Sequence, residues 1–180
     1  MVTDATNLDK AARDASNEHT PPGEAPEALE LEAFLPYQLA VLADTMSQSL
    51  SRLYSDRYGL GVPEWRVLAN LGQRGTMTAT EIGTHAQMHK TKVSRAVSGL
   101  ATRGYVLRER NSADQREALL QLTDEGRRVY DELVPSARAF NKALESMLTD
   151  DEKALLRSML DRLTSRSRDL ARAVAEDRLE

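Results

Sequence analysis

Apolar residues recur at every third or fourth position from Leu35 to Tyr58. This spacing collects them on one face and predicts a long amphipathic helix. Gly59 and Gly61 interrupt the pattern, and Pro63 then suits the first turn of a second helix, where its missing N–H is no loss. The predicted buried stripe of this second helix is Trp65, Leu68 and Leu71, with Gly72 and Gly75 marking its end.

Two shorter helices are predicted next. Thr78 and Glu81 have the spacing of a capping box, which indicates that a helix of about two turns begins there. A further helix is predicted from Lys90 to Arg103, ended by Gly104 in the left-handed conformation. At about 100° per residue this helix has one apolar and one polar face. The apolar face is Val93, Ala96, Val97 and Leu100, and the polar face is Thr91, Arg95, Ser98 and Thr102, flanked by Lys90 and Lys92.

This arrangement predicts a helix-turn-helix, because a short helix is followed by a tight turn and a second helix. Small polar and cationic side chains on the outer face allow the second helix to enter a major groove about 12 Å wide. Tyr105–Arg110 and Ala118–Leu122 then have strand-like composition and are joined by turn-forming residues. They predict a hairpin, the wing of a winged helix-turn-helix.

The last third of the chain predicts two more long helices. Thr123 is placed to cap the first, and Pro135 is expected to kink or break it. Asp150 opens the final helix, whose apolar positions are Leu155, Leu156, Met159, Leu160 and Leu163. The expected fold class is therefore mainly α.

Charge is unevenly distributed along this 180-residue chain. Residues 1–32 carry eight acidic and only two basic side chains with little apolar surface, which predicts a disordered acidic arm; a short frayed helix from Leu8 to Ala15 is the alternative. From His85 to Arg116, seven cationic side chains face two acidic ones, a local charge of +5 in a chain whose net charge is −4. A basic island of this kind is typical of nucleic-acid binding.

Composition excludes several classes of protein. Cysteine is absent, which removes disulfides, thiolate catalysis and zinc fingers. No apolar run approaches the roughly 20 residues of a spanning helix, and no secretion signal follows Met1, so we expect a cytoplasmic protein without membrane contact. The sequence contains no nucleophile elbow, phosphate-binding glycine loop or convincing carboxylate dyad, so we expect neither an enzyme nor a cofactor.

The sequence resembles the MarR (multiple antibiotic resistance regulator) family of bacterial transcription factors from about Leu35 to Leu163. The resemblance is carried by the run Pro63–Leu68, by Glu81-Ile82, by Lys90–Arg95, and by a wing signature that contains Asp114, Arg116, Leu120, Leu122, Thr123 and Gly126. It implies a homodimer on a pseudo-palindromic duplex DNA operator. The implied organisation is an arm at 1–32, a dimerisation helix at 33–61, a DNA-binding domain at 62–123 and dimerisation helices at 124–180.

The DNA-binding residues follow partly from the helix face and partly from the resemblance. The resemblance places Thr91, Ser94 and Arg95 near base edges or phosphates and Arg116 at the wing tip, where Asp114 orients it. The cationic and polar face adds Lys90, Lys92 and Ser98. Arg110 is either a phosphate contact or an exposed strand charge. His89 stands where many relatives have Asp, which leaves the capping of the recognition helix open.

The amino-acid sequences of the first helix and of Met88–Arg95 resemble those of a narrower group of repressors. The members of that group respond to hydroxycinnamoyl-CoA thioesters. This implies a small-molecule effector, either such a thioester or a phenolic acid, that releases a repressor from DNA. Cationic side chains would bind the phosphates of the thioester, and an apolar pocket would bind its aromatic group. The candidate ligand-binding residues are Tyr37, Arg52, Tyr58, Trp65, Arg66 and His85.

Other functions stay open at this point. Glu81, His85 and His89 stand four residues apart, which fits a metal-responsive regulator of the same fold, although the predicted helix end near Gln87 removes His89 from that face. A small enzyme acting on an aromatic acid or thioester is a second alternative. The third is a scaffold that keeps the fold without binding DNA.

Overall fold

The computed structural model describes residues 28–110 and 117–176. Within them, six helices and three short strands follow one another along the chain. The helices are α1 (Leu35–Tyr58), α2 (Val62–Arg74), α3 (Ala79–Ala86), α4 (Lys90–Thr102), α5 (Asp124–Glu145) and α6 (Asp150–Ala175), and the strands are β1 (Met77–Thr78), β2 (Val106–Arg110) and β3 (Ala118–Leu122). The molecule is mainly helical, as predicted.

The strands form one antiparallel sheet in the order β1-β3-β2. Val106 lies opposite Leu122 and Arg108 lies opposite Leu120, so β2 and β3 are the predicted hairpin. The sequence did not predict β1, in which Met77 also lies opposite Leu120. Two residues are too short to show an alternating pattern, and pairing with β3 is what makes them a strand.

The helix-turn-helix consists of α3 and α4. Thr78 and Glu81 form the predicted capping box: the Thr78 hydroxyl accepts from the Glu81 N–H at 3.2 Å, and the Glu81 carboxylate accepts from the Thr78 N–H at 2.7 Å. Gln87 ends α3 in the left-handed conformation, with φ of 50°. Gly104 follows α4 with φ of +73°, as its predicted terminating role requires.

The core lies between α2, α3, α4, the sheet and the first half of α5. The apolar face of α4 is buried as predicted, and Val67, Leu68 and Leu71 of α2 are fully buried against the same core. Tyr54 at the end of α1 stacks on Trp65 with ring centroids 5.4 Å apart. This packing holds α4 by one face only and leaves its other face free.

A junction of close backbone contacts joins the wing to α5. The Thr123 hydroxyl donates to the Gly104 carbonyl at 2.6 Å and accepts from the Gly126 N–H at 2.9 Å. The Thr123 N–H donates to the Tyr105 carbonyl at 3.1 Å. A Cβ on Gly126 would lie 2.8 Å from the carbonyl carbon of Tyr105. Thr123 therefore fastens the end of the hairpin to the end of α4, and only glycine fits at position 126.

Three element boundaries differ from the sequence prediction. Helix α2 runs through Gly72 to Arg74, and only Gly75 ends it. Strand β2 begins at Val106 rather than Tyr105, because the Tyr105 N–H instead donates to the Leu100 carbonyl and closes the turn after α4. Helix α5 continues through Pro135 without a break.

The chain divides into two compact units between Leu42 and Ala43. In the first unit, residues 31–33 form a turn and the Gln38 side-chain amide donates to the Glu32 carbonyl at 2.5 Å. The rest of the predicted arm, residues 1–27, lies outside the described residues, and the proposed division at 61 and 123 stays a prediction. None of the described helices combines the length and apolar character that a bilayer crossing needs.

Candidate nucleic-acid interface

The outer face of α4 carries the predicted DNA-binding side chains. Thr91, Ser94, Arg95 and Ser98 are all exposed, and Val93, Ala96, Val97 and Leu100 on the opposite face are buried. This orientation follows from the helical period, because the apolar stripe packs on α2 and α3 and turns the polar stripe outward. The face combines the small hydroxyl side chains of Thr91, Ser94 and Ser98 with the long Arg95 and is flanked by Lys90 and Lys92, so it allows close approach to a duplex.

Three cations of this face have no acidic partner. Lys90, Lys92 and Arg95 are exposed, and no carboxylate in residues 28–110 or 117–176 forms an ion pair with them. Elsewhere the protein does pair its arginines, for example Arg128 with Glu125 and Glu132. Unpaired cations can neutralise phosphates without first giving up an internal partner.

Helix α4 begins at an unusual cap. His89 is the N-cap residue, and its Nδ1 accepts from the Thr91 N–H at 3.4 Å. A short Asn or Asp side chain usually fills this role. The imidazole therefore does replace the carboxylate expected from the resemblance, through a long hydrogen bond.

The wing adds Arg108, a cation of the basic island that was not among the predicted DNA-binding residues. Arg108 of β2 donates to the Ser98 hydroxyl of α4 at 2.9 Å. Residues two apart in a strand share a face, so Arg108 projects from the same side as buried Val106, toward α4. This alternation could have predicted from the sequence which way Arg108 projects. An exposed arginine in a strand is common, however, and does not by itself indicate a DNA contact. Contact with α4 makes Arg108 part of the candidate surface.

The remaining wing residues are described only in part. The backbone of Arg110 lies opposite Ala118 at the end of the hairpin, which directs the chain toward the wing turn. Asp114 and Arg116 lie outside the described residues, so their roles at the wing tip stay predictions. Glu117, which follows the wing turn, connects the hairpin to α3, because its carboxylate accepts from the Thr80 hydroxyl at 2.5 Å.

A cleft of about 780 Å³ opens beside the recognition face. Asp44 to Ser51 of α1 and the start of α2 form one side, and Thr91, Lys92 and Arg95 of α4 form the other. Arg66 is the only predicted ligand-binding residue among those that line it. With Arg66, Lys92 and Arg95 against Asp44, the cleft carries an excess of positive charge and favours an anionic ligand.

The other predicted ligand-binding residues are dispersed. Trp65 lines a separate groove between α2 and α5 together with Tyr130. Arg52 and His85 are exposed on α1 and α3, and Tyr37 is exposed in the first compact unit. Their roles as ligand contacts stay predictions, and no single cavity in the described part of the chain contains them all.

Tyr58 is held in a polar network rather than facing the cleft. Its hydroxyl donates to the Glu132 carboxylate, which also pairs with Arg57 at 2.7 Å. This hydrogen bond is the main reason that the pKa of Tyr58 is raised and the pKa of Glu132 is lowered. The Tyr58 carbonyl accepts from Arg103 at 2.6 Å. Tyr58 therefore connects α1 to α5 and to the end of α4.

The spacing of Glu81, His85 and His89 does not make a metal centre here. Among the described residues, no three His, Asp or Glu side chains are grouped closely enough to hold a metal ion. Glu81 is engaged in its capping box, where the Thr78 N–H is the main cause of its lowered pKa. His89 caps the next helix and leaves the face of α3.

Comparisons with known proteins agree with this geometry. A sequence model of the MarR family matches residues 58–117. A MarR family transcriptional regulator from Silicibacter pomeroyi DSS-3 is 36% identical in sequence, and the match covers 76% of this chain and 99% of that one, with a TM-score of 0.63. The chain belongs to the MarR family. It is a transcriptional regulator with the winged helix-turn-helix fold, and α4 is the second helix of that motif.

Two further MarR-like similarities extend over different lengths. The HTH-type transcriptional repressor IacR of Pseudomonas putida is 26% identical over 156 residues, which are 87% of this chain and 91% of the relative. A MarR/EmrR family regulator from Acinetobacter sp. ADP1 has a TM-score of 0.73 at 24% identity over 78% of this chain and 99% of that one, which shows the shared fold. The first of these proteins is named as a transcriptional repressor and the second as a transcriptional regulator.

Proposed function

We propose that this MarR-family regulator binds an operator by inserting α4 into the major groove. The observation that carries the proposal is the outer face of α4, where Arg95 and the flanking lysines 90 and 92 are exposed and unpaired among the described residues. Thr91, Ser94 and Ser98 are short enough to let the helix approach base edges. The lysines supply phosphate contacts, which set affinity and register.

The wing completes the proposed contact. In the proposed complex Arg110, at the end of β2, contacts the sugar–phosphate backbone of the DNA. Arg116 reaches the minor groove, and Asp114 orients its side chain. Arg108 joins the same surface through its hydrogen bond to Ser98. A duplex would then be held by the helix in one groove and by the hairpin beside it.

The active form is a homodimer. Helix α6 is 26 residues long and has no buried residue in the single chain. Leu155, Leu156, Met159 and Leu160 nevertheless form one apolar face, each 44–55% exposed. A second copy of the chain covers such a face most economically, because an isologous contact repeats the same patch. Two recognition helices then require half-sites about 10 bp apart in a pseudo-palindromic operator.

The cleft beside α4 is the proposed effector site. Its cations suit the carboxylate of an aromatic acid or the phosphates of a hydroxycinnamoyl-CoA thioester, and Val62, Pro63 and Met88 supply apolar surface. A ligand there touches α4 directly. It weakens DNA binding to the extent that it prefers a dimer in which the recognition helices no longer match adjacent grooves. IacR, YetL and MdtR are each named as repressors, which supports release from repression as the direction of control.

The docking proposal is tested with Arg95→Ala in a fluorescence anisotropy or gel-shift titration against operator DNA. We expect affinity to fall by about 5- to 150-fold, the effect of losing a base or phosphate contact worth 1–3 kcal/mol. Arg116→Ala is expected to weaken binding with less loss of sequence discrimination. Arg138→Ala on α5 is the matched control, and no loss is expected. Unchanged affinity in both Arg95→Ala and Arg116→Ala contradicts the docking proposal.

The effector proposal is tested by thermal-shift screening against phenolic acids and their CoA thioesters, with and without operator. Stabilisation by a thioester but not by its free acid assigns the ligand class, and Arg66→Ala should reduce that stabilisation. If neither the phenolic acids nor the thioesters shift the unfolding temperature, the effector assignment is contradicted. The docking proposal is not affected by that result.

A further inference from the structure

The carboxylate of Glu117 lies beside two cations of the proposed DNA-binding surface. Glu117, half-buried just before β3, lines a small cleft of about 210 Å³ between α3, α4 and the hairpin. The same cleft is lined by Lys90, Ser94 and Arg108. Each of these groups belongs to the surface proposed above to meet DNA. An acid at this position has the opposite charge to Lys90 and Arg108, the two cations that line the cleft.

The contacts of Glu117 show how its carboxylate is held. Oε1 accepts from the Thr80 hydroxyl of α3 at 2.5 Å. Within the described residues, Glu117 forms no ion pair with Lys90 or Arg108, and Arg108 instead donates to Ser98. The carboxylate therefore stays close to the cations without neutralising either one by direct contact.

A phosphodiester would use the same kinds of partner. Phosphate oxygens accept from hydroxyls, lysines and arginines, which are the groups that surround Glu117. A carboxylate nearby repels phosphate and reduces the local positive potential. We infer that Glu117 is an internal counter-charge of the DNA-binding face, which stands in for a backbone phosphate in the free protein and lowers affinity for every DNA sequence. The inference rests on the proposed DNA-binding function.

A counter-charge of this type has a use in a regulator that must release its operator. It reduces the sequence-independent part of the affinity, which phosphate contacts dominate. Because the counter-charge acts on the phosphates of the DNA backbone, it changes the affinity for operator and for unrelated DNA by the same factor. That equality separates it from a residue that reads bases, whose loss changes the ratio between the two.

Two substitutions separate the charge from the hydrogen bond. Glu117→Gln keeps an oxygen that can accept from Thr80 and removes the negative charge. Thr80→Val keeps the charge and removes the donor. Glu109→Gln is the matched control, because Glu109 is also an acid of the hairpin held by a neutral partner, Gln121 Nε2 at 2.6 Å. It neighbours Arg108 in β2, so it projects from the other face of the strand.

The experiment is an anisotropy titration of the full chain with operator and with unrelated duplex, at salt concentrations from about 50 to about 200 mM. We expect Glu117→Gln to bind both duplexes about threefold to tenfold more tightly, with an unchanged ratio between them. The salt dependence should steepen by up to about one phosphate contact. Glu109→Gln should change affinity less than about twofold, and Thr80→Val should not tighten binding. Thermal unfolding checks that the variants remain folded.

Several outcomes overturn the inference. Unchanged or weaker binding by Glu117→Gln shows that its charge does not oppose DNA, and tightening for only one of the duplexes shows that it reads sequence. Equal tightening by Thr80→Val assigns the effect to the hydrogen bond. In each case, loss of affinity in Arg95→Ala keeps the docking proposal intact. Absence of DNA binding by the unaltered protein contradicts the docking proposal itself.

Discussion

At the scale of single residues, close contacts explain two residues of the wing signature, Thr123 and Gly126. Thr123 and Gly126 were recognisable in sequence, but the reason for them is the junction with Gly104 and Tyr105. The Thr123 hydroxyl has two hydrogen-bond partners there, and Gly126 leaves room for the Tyr105 backbone. The same junction sets where the hairpin leaves α4, so it determines how wing and recognition helix are placed together.

Substitution of Gly126 by alanine is expected to destabilise the fold by about 3 kcal/mol, because the new methyl group overlaps backbone that cannot rotate away. Chemical denaturation measures the change in the free energy of unfolding. Gly61→Ala is the control: its Cβ would meet Glu64 and Pro63 at 3.7 Å, which is ordinary contact, and only a capping loss of about 1 kcal/mol is expected. Equal effects of the two substitutions would show that the close approach at Gly126 is unimportant.

The capping box of α3 should make stability depend on acid. The pKa of Glu81 is lowered from 4.5 chiefly by the Thr78 N–H. A carboxyl whose pKa is lower in the folded protein contributes its full stability above the unfolded value and loses it as pH falls through the folded value. Thermal unfolding measured from neutral pH down to about pH 4 and below should show a smaller acid-induced drop in Glu81→Gln than in the unaltered protein. Parallel curves would contradict this role.

At the scale of elements, α5 shows why Pro135 does not break its helix. The sequence led us to expect a kink or break, because proline removes one helical hydrogen bond. In α5 the proline and Asp131, whose carbonyl loses that partner, are both exposed. Water can satisfy the carbonyl, and the part of α5 before the proline is anchored by buried Leu133 and by the capped first turn. The helix therefore continues.

Helices α2 and α5 depend on a matched pair, Gly72 and Tyr130. A Cβ on Gly72 would lie 2.5–2.6 Å from atoms of the Tyr130 ring. Gly72→Ala should destabilise the protein by about 1–3 kcal/mol through this overlap. Denaturant unfolding of the two single variants and the Gly72→Ala/Tyr130→Ala double variant measures the coupling. We expect the double variant to lose less free energy of unfolding than the two single variants lose together. Simple additivity would show that the two residues do not interact.

At the scale of the whole molecule, the exposed apolar face of α6 is the basis of the proposed homodimer. A 26-residue helix with no buried position has little to hold it in a single chain. For this face the sequence pattern and the structure of the single chain agree, although neither contains the partner. The helical period placed the leucines together, and their exposure in the folded chain supports the proposal that a second copy covers them.

The dimer is tested with Leu156→Glu/Leu160→Glu, which places two charges on that face. Light scattering should show a monomer, and operator affinity should fall because one recognition helix contacts only a half-site. Ser165→Glu adds a charge on the opposite side of α6 and should leave the dimer intact. A dimer that persists in the double variant would place the subunit contact elsewhere.

The sequence by itself determined the elements and the polarity of the recognition helix. Helical period, capping residues and turn formers act over a few residues, so α1, the α3–α4 unit, the hairpin and the outward position of Arg95 could be read from local spacing. The family signature followed from the same local runs.

Only the tertiary structure decided what those elements bring together. Strand β1 exists because β3 pairs with it, Arg108 joins the recognition face because the hairpin folds onto α4, and Glu117 meets Thr80 across 37 residues of sequence. The predicted ligand residues were separated for the same reason, with Arg66 in the cleft and Trp65 in a different groove. Contacts between distant segments depend on packing geometry, which local spacing does not encode.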